Sequence, residues 1–308
     1  MTAASPYRSM AFVLLVSGAS LVPLTAPAQR AAGAQGVPAA PGRDQSRFIT
    51  EARDGTRRYL SRQHAIDDGF TRVGVEFPAM GEHWVNLARV LEDSFDAKRP
   101  SILIYTNTGE GPRLAGVAYS KLLRGRQTPP AFPSAGAWHE HSGTIAEGSL
   151  PLSHATPVTA GTGRDRSGED EAPRFFVLHA WVWTDNPDGT FVTDNWTLPQ
   201  QRVGLATAGR LDRPVVRAMA LAEDEDEYYR LVLRTLLSLS EREELAVARV
   251  IDAHRARAKR ALASVRAKNG LGARDASELR AVWDALWTGL EGVLPRRVRE
   301  LREAREQM

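Results

Sequence analysis

Two hydrophobic periods divide this chain. In its first two thirds, short apolar runs are separated by Gly, Pro, Asn and Asp, and from Val215 onward Ala, Leu, Arg and Glu recur with helical spacing. Alternation predicts strands, and a period near 3.6 predicts helices. The clearest run is Phe175 to Trp183, FFVLHAWVW. Phe175, Val177, His179, Trp181 and Trp183 fall on one face and Phe176, Leu178, Ala180 and Val182 on the other, so both faces are apolar. Such a run, closed by Asp185-Asn186-Pro187-Asp188-Gly189, predicts a central strand entering a tight turn. Ile102 to Tyr105 and Arg113 to Tyr119, joined through Asn107 to Pro112, predict a hairpin. Ahead of them, Phe70, Val73, Val75 and Phe77 lead through Pro78 to Gly81-Glu82-His83-Trp84-Val85-Asn86.

The helical signals lie at the two ends. Phe48, Ile49, Ala52, Tyr59 and Leu60 predict a helix from Ser46 to about His64 with Gly55 as its weak point. Ser240 with Glu243 forms a capping box for a helix whose stripe is Val247, Ile251, His254, Ala258, Leu262 and Val265, ending at Asn269-Gly270. Asp275 with Glu278 repeats the start signal for a stripe of Leu279, Val282, Leu286 and Leu290, widened by Trp283 and Trp287. The two helices are expected to pack antiparallel across a tight turn, and Pro295 starts a last short basic segment. The fold class is therefore α+β: a mainly antiparallel β domain with an N-terminal helix, followed by a helical C-terminal region.

Composition adds a compartment. Arg8, the apolar runs from Met10 through Leu24, and Ala26-Pro27-Ala28 have the order of a secretory signal peptide over residues 1–28. Residues 29–44, rich in Ala, Gly, Pro and Gln, are expected to be a disordered tether. The β-rich domain then spans 45–205 and the helical region 206–308. A secreted or periplasmic location follows, with no membrane span after removal of the signal. Cys is absent, so any metal site must use nitrogen and oxygen ligands. Lys plus Arg of 40 against Asp plus Glu of 37 supplies no concentrated phosphate footprint, which argues against a nucleic-acid partner.

Four of the seven histidines, His83, His139, His141 and His179, stand beside aromatic residues in the β half. In an extended segment His139 and His141 project to one side with Glu140 turned away. An imidazole inside an apolar strand, as at His179, must satisfy two ring nitrogens with little water, by hydrogen bonds or by a metal. Neutral imidazoles with a carboxylate from Glu147 or Asp185 suit a single Zn, Cu, Fe or Mn ion. The four histidines can equally be independent hydrogen-bonded residues holding loops to the sheet. The chain has no G-x-S-x-G elbow and no phosphate loop, since Gly109-Glu110-Gly111-Pro112 leads from strand to strand. Three functions remain open. The leading one is an exported protein with a binding role at this His-rich site. The second is a metal-dependent hydrolase or oxygen-using enzyme there, with Glu140 or Glu147 as base. The third is a metal-free envelope interaction or chaperone-like protein acting through its C-terminal helices.

The segments AIDDGF, GEHWVN, RLAGVAY, WHEHSG and LHAWVWTDNPDGTF, between about Ala52 and Leu198, resemble a family of uncharacterised exported bacterial proteins. The resemblance implies that His83, Asn86, His179, Asn186, Pro187 and Gly189 belong to one site or one structural knot, and it implies no activity. Gly136, His139, His141 and Glu147 resemble the first motif of the cupins at a different spacing. Val192 stands where the second cupin motif needs a histidine. Leu239-Ser240-Glu241-Arg242 and the helix after it are similar to the helix start of Spy-type periplasmic proteins, without the family's Gln.

Overall fold

A computed structural model describes residues 42–134, 136–142, 153–157, 174–205, 211–268 and 270–308. The expected signal peptide and nearly all of the tether lie outside the described residues, as does Glu147. The first element, α1 (Arg43–Thr56), turns Phe48, Ala52 and Thr56 inward at i, i+4, i+8 spacing. The expected single helix to His64 is instead two, α1 and α2 (Arg62–Asp67), joined by a 3-10 turn over Arg57–Leu60. The break follows Gly55, where a Cβ would come within 2.4 Å of the Lys98 carbonyl oxygen, so the glycine is there for backbone contact.

The strands are β1 (Thr71–Phe77), β2 (Gly81–Val85), β3 (Ile102–Thr108), β4 (Gly111–Leu123), β5 (Trp138–Ser142), β6 (Ser153–Pro157) and β7 (Arg174–Ala180), with the short α3 (Leu87–Leu91) after β2. They form one antiparallel sheet in the order β1-β2-β3-β4-β7-β5-β6. The expected hairpin is β3–β4. The expected central strand is β7, between β4 and β5, and it ends at Ala180 rather than running on to Trp183. Beyond that point Trp181 N donates to Thr190 O and Val182 N turns back on Ala180 O, which breaks the ladder before Trp183 N reaches Ala115 O of β4. Trp183 accordingly leaves its predicted face and donates from Nε1 to Thr56 Oγ1 of α1 at 3.0 Å.

Each face of the sheet has its own core. Tyr105, Val117, Tyr119, Trp138, Phe176 and Leu178 pack with Phe48 and Ala52 of α1. Ile102, Ile104, Ala118, Phe175, Val177 and Trp181 line the other face. The sheet curls over this second face. A bulge inserts Ala115 opposite the Ile104–Tyr105 step, and at Gly116 a Cβ would lie 2.9 Å from Ala180 O and 3.0 Å from the Trp181 ring.

The helical part comprises α4 (Leu198–Arg202), α5 (Arg213–Ala222), α6 (Tyr228–Leu237), α7 (Glu241–Lys268), α8 (Ala273–Val293), a 3-10 turn (Pro295–Arg297) and α9 (Val298–Gln307). Val247, Ile251, Leu262, Leu279, Leu286 and Leu290 are all buried, as the stripes require. Ser264 bonds Asp275 at 3.1 Å and Val250 lies against Gly289, so α7 and α8 run antiparallel. The capping box of α7 forms, with Ser240 N and Oγ donating to Glu243, and these bonds hold the Glu243 carboxyl down at about 2. Asp275 is not the cap of α8. It sits one turn inside, where its carboxylate accepts from Gly272 N at 3.0 Å.

Sheet and helices belong to one compact unit. Arg202 of α4 is buried against Glu76 at 2.8 Å and donates to Phe77 O at 3.0 Å. Asp226 pairs with Arg72 and accepts from Glu76 N, while the Tyr228 ring meets Phe77 at 5.5 Å.

Candidate histidine site

The curl brings together residues that the ladder keeps apart. His83 on β2 and His179 on β7 are separated by β3 and β4, and across a flat sheet three strand spacings would set them about 14 Å apart. Their ring centroids are 5.5 Å apart. His179 in turn meets the ring of His139 at 5.0 Å, and His139 meets that of His141 at 4.9 Å. All four imidazoles are buried on the face lined by Phe175, Val177 and Trp181. Phe77, Trp181 and Phe175 wall the row at 5.8, 5.9 and 5.7 Å from His83, His179 and His141 respectively.

Thr193 sets the orientation of two of these rings. Its carbonyl lies 2.8 Å from His179 Nδ1, and because a carbonyl only accepts, Nδ1 carries the proton and Nε2 presents a lone pair. That Nε2 is buried and has no hydrogen-bond partner. Burial pushes the His179 pKa down to about 4 against the opposing effect of the Thr193 bond, with His141 adding a further lowering, so the ring is neutral at pH 7. The Thr193 hydroxyl stands 3.4 Å from His139 Nδ1. On its far side, His139 Nε2 is 3.0 Å from His141 Nε2. One of that pair donates and the other accepts.

The segment carrying Thr193 is itself clamped. Trp181 Nε1 donates to Val192 O at 2.7 Å, Asn186 Nδ2 to Asp194 O at 2.8 Å, and Asn195 N to Ala79 O at 2.7 Å. Asn186 and Gly189, whose φ is +126°, shape the turn that returns this segment to the sheet. Those residues of the expected knot therefore support the histidines from behind. Asn86 does not join them: it caps α3 and donates to Asp68 O at 2.8 Å.

Glu140 is turned to the opposite face, paired across from Phe176 and 3.5 Å from Arg174, so it cannot act as a base at the imidazoles. Asp185 contributes its backbone carbonyl to Asn195 and Thr197. Among the described residues, no three His, Asp or Glu side chains already surround one point as metal ligands. The four histidines form a contiguous row, and a bound ion would require them to turn inward.

Two positions escaped the sequence reading. Thr193 acts half through its carbonyl, which residue type does not announce. His154 stands across from His141 in the β5–β6 register, although nothing in its own Ser-His-Ala-Thr segment marks it. No family model matches this chain, and neither a curated protein nor a solved structure matches it.

Proposed function

We propose that the protein is an exported metal-binding protein that takes one first-row transition-metal ion on His139, His141 and His179, with His83 as fourth ligand or as a partner behind them. The observation that carries this reading is His179 Nε2: a lone pair in a buried, neutral ring, fixed in orientation by the Thr193 carbonyl and used by no hydrogen bond. A purely structural histidine at such a site is expected to satisfy both nitrogens. A carbonyl holding Nδ1–H so that Nε2 faces an ion is the arrangement found behind metal-ligating imidazoles.

The spacing of the next two nitrogens supports the same reading. Two ligands bound to one ion at about 2.0–2.1 Å lie roughly 3 Å apart, and His139 Nε2 and His141 Nε2 are 3.0 Å apart. Binding requires the proton they share to move to an Nδ1, so that both Nε2 lone pairs are free. An all-imidazole set without thiolate suits Zn or Cu, and Fe or Mn if an oxygen donor completes the shell. The basic, apolar, small-residue order of residues 1–28 supports export.

Elemental analysis of the purified protein, before and after loading with Zn, Cu, Fe and Mn, tests the metal. About one ion per chain is expected, lost in His139→Ala and in His179→Ala variants whose circular dichroism is unchanged. A wild type that resists all four metals would leave the four imidazoles as internal packing. Mass spectrometry of the mature chain recovered from the periplasm tests export, with removal of residues 1–28 expected.

A further inference from the structure

A second feature, whose lining includes none of the four imidazoles, lies where α2, the 3-10 turn before it and α3 are tied together. Arg89 of α3 donates to the Tyr59 hydroxyl at 2.8 Å, that hydroxyl donates to Asp68 at 2.7 Å, and Asn86 donates to Asp68 O. Between these elements and the Lys98–Arg99 loop opens a cavity of about 480 Å³. Its lining includes Arg58, Arg89, Lys98 and Arg99 against only Asp68 and Glu92. Asp68 pairs with Arg58 at 3.2 Å and Glu92 with Arg99 at 3.0 Å. Arg89 is bonded to neutral acceptors, Tyr59 Oη and Pro100 O, and its guanidinium lies 4.9 Å from the Phe70 ring centre. Two cationic charges are therefore left over, one of them held rigidly in place.

The same three short elements carry exposed aliphatic side chains. Leu60 is 50% exposed, Ile66 46%, Leu87 56% and Leu91 64%. Half of the large hydrophobic residues exposed among the described residues thus sit on the elements around this one cationic cavity. Single exposed leucines are ordinary, but four of them on mutually bonded elements are not scatter. Leu87 and Leu91 are one helical turn apart on α3, and so share a side of it.

We infer that this surface docks the protein onto an anionic phospholipid membrane, with the cavity cations meeting the headgroup phosphates and Leu60, Ile66, Leu87 and Leu91 entering the acyl boundary. Charge complementarity selects this occupant. Excess cations beside exposed aliphatic side chains match a surface that offers phosphates and hydrocarbon at adjacent depths. A soluble anion would use the cations and leave the exposed aliphatic side chains without a role. A protein partner would be expected to meet aromatic anchors, and none of the four residues is aromatic. No helix among the described residues is long and apolar enough to span a membrane, so the contact is a peripheral one. The inference is independent of the histidines.

Cosedimentation of the purified protein with vesicles of phosphatidylcholine, alone or with about one-third phosphatidylglycerol, tests it. Binding is expected only to the anionic vesicles, and it should weaken as salt shortens the range of the attraction. Leu87→Ser with Leu91→Ser, and separately Lys98→Gln with Arg99→Gln, should each weaken it by about tenfold or more. All four side chains are exposed, so these variants should fold, and Leu245→Ser on α7 should bind like wild type. Failure to bind vesicles, equal binding to neutral vesicles, or binding unchanged in both double variants would overturn the inference. So would saturable binding of inorganic phosphate, followed by nuclear magnetic resonance, without vesicle binding.

Discussion

On the sheet face packed against α1, each buried aromatic hydroxyl or indole ends on a partner: Tyr105 Oη donates to Tyr59 O at 2.6 Å, Tyr119 Oη to Ala97 O at 2.7 Å, and Trp138 Nε1 to Phe132 O at 2.8 Å. On the curled face, His179 is equally buried and leaves a ring nitrogen unused. The two faces share a backbone and differ in what they do with buried polarity. The helix-covered face uses it to fix large side chains in place, and burial pushes the Tyr119 phenol well above its ordinary range, keeping it a donor. The curled face gathers four imidazoles, of which His179 is neutral, behind small residues, Ala115, Gly116 and Ala118. The difference makes the curled face the candidate site, because an unsatisfied lone pair on a fully buried ring is a cost that packing alone does not explain.

The comparison can be broken first on the helix-covered face. Trp138→Ala or Phe176→Ala should destabilise the protein by about 3–5 kcal/mol in urea unfolding, through lost burial and the cavity left behind. A smaller loss than for His179→Leu would mean that the faces had been assigned the wrong way round.

Acid should act on the other face. The folded pKa of His179, about 4, lies below the ordinary 6.5, so between these values the unfolded chain binds more protons. The His179 contribution is intact above pH 6.5 and is lost as pH falls toward 4, by about 3 kcal/mol. That pH dependence should be absent from His179→Leu and so appear as a pH-dependent difference in stability between it and the wild type, measured by urea unfolding at pH 7, 5.5 and 4.5. Equal slopes in the two proteins would show that His179 titrates normally.

Tyr119→Phe sharpens the contrast at smaller cost. It removes one hydroxyl and leaves Ala97 O without that donor, for an expected loss of about 1–2 kcal/mol with no change in metal content. Thr193→Val should be milder still for stability, within about 1 kcal/mol, since the carbonyl that holds His179 remains. It should nevertheless lower metal affinity about tenfold or more by releasing His139, as competition with a chelator would show. Tight metal binding by Thr193→Val would remove the hydroxyl from the site.

Local elements were legible where a single pattern dominated. The stripes of α7 and α8, the β3–β4 hairpin and the apolar run of β7 depend on residues near one another in sequence, so periodicity and turn chemistry reach them. Boundaries were less so. The break after Thr56 sits where Gly55 packs against Lys98, about forty residues away, and β7 ends early where Trp181 N turns to Thr190 O and Val182 N to Ala180 O. The start of α8 was misplaced by a turn because an Asp inside a first helical turn looks like an Asp before it, both bonding free backbone N–H groups.

By itself, then, the sequence determined the division into a strand-rich part and a helical part, the stripes that bury α7 and α8, the absence of thiolate chemistry and the presence of four histidines among aromatic residues. Only the tertiary structure decided that β7 sits between β4 and β5, that the Ala115 bulge and Gly116 let the sheet curl, and that His83 therefore lies against His179. Alternation specifies which face of a strand a residue occupies, but curvature is a sum of twist and bulge over many strands. That sum also placed Thr193 at the nitrogens of two rings.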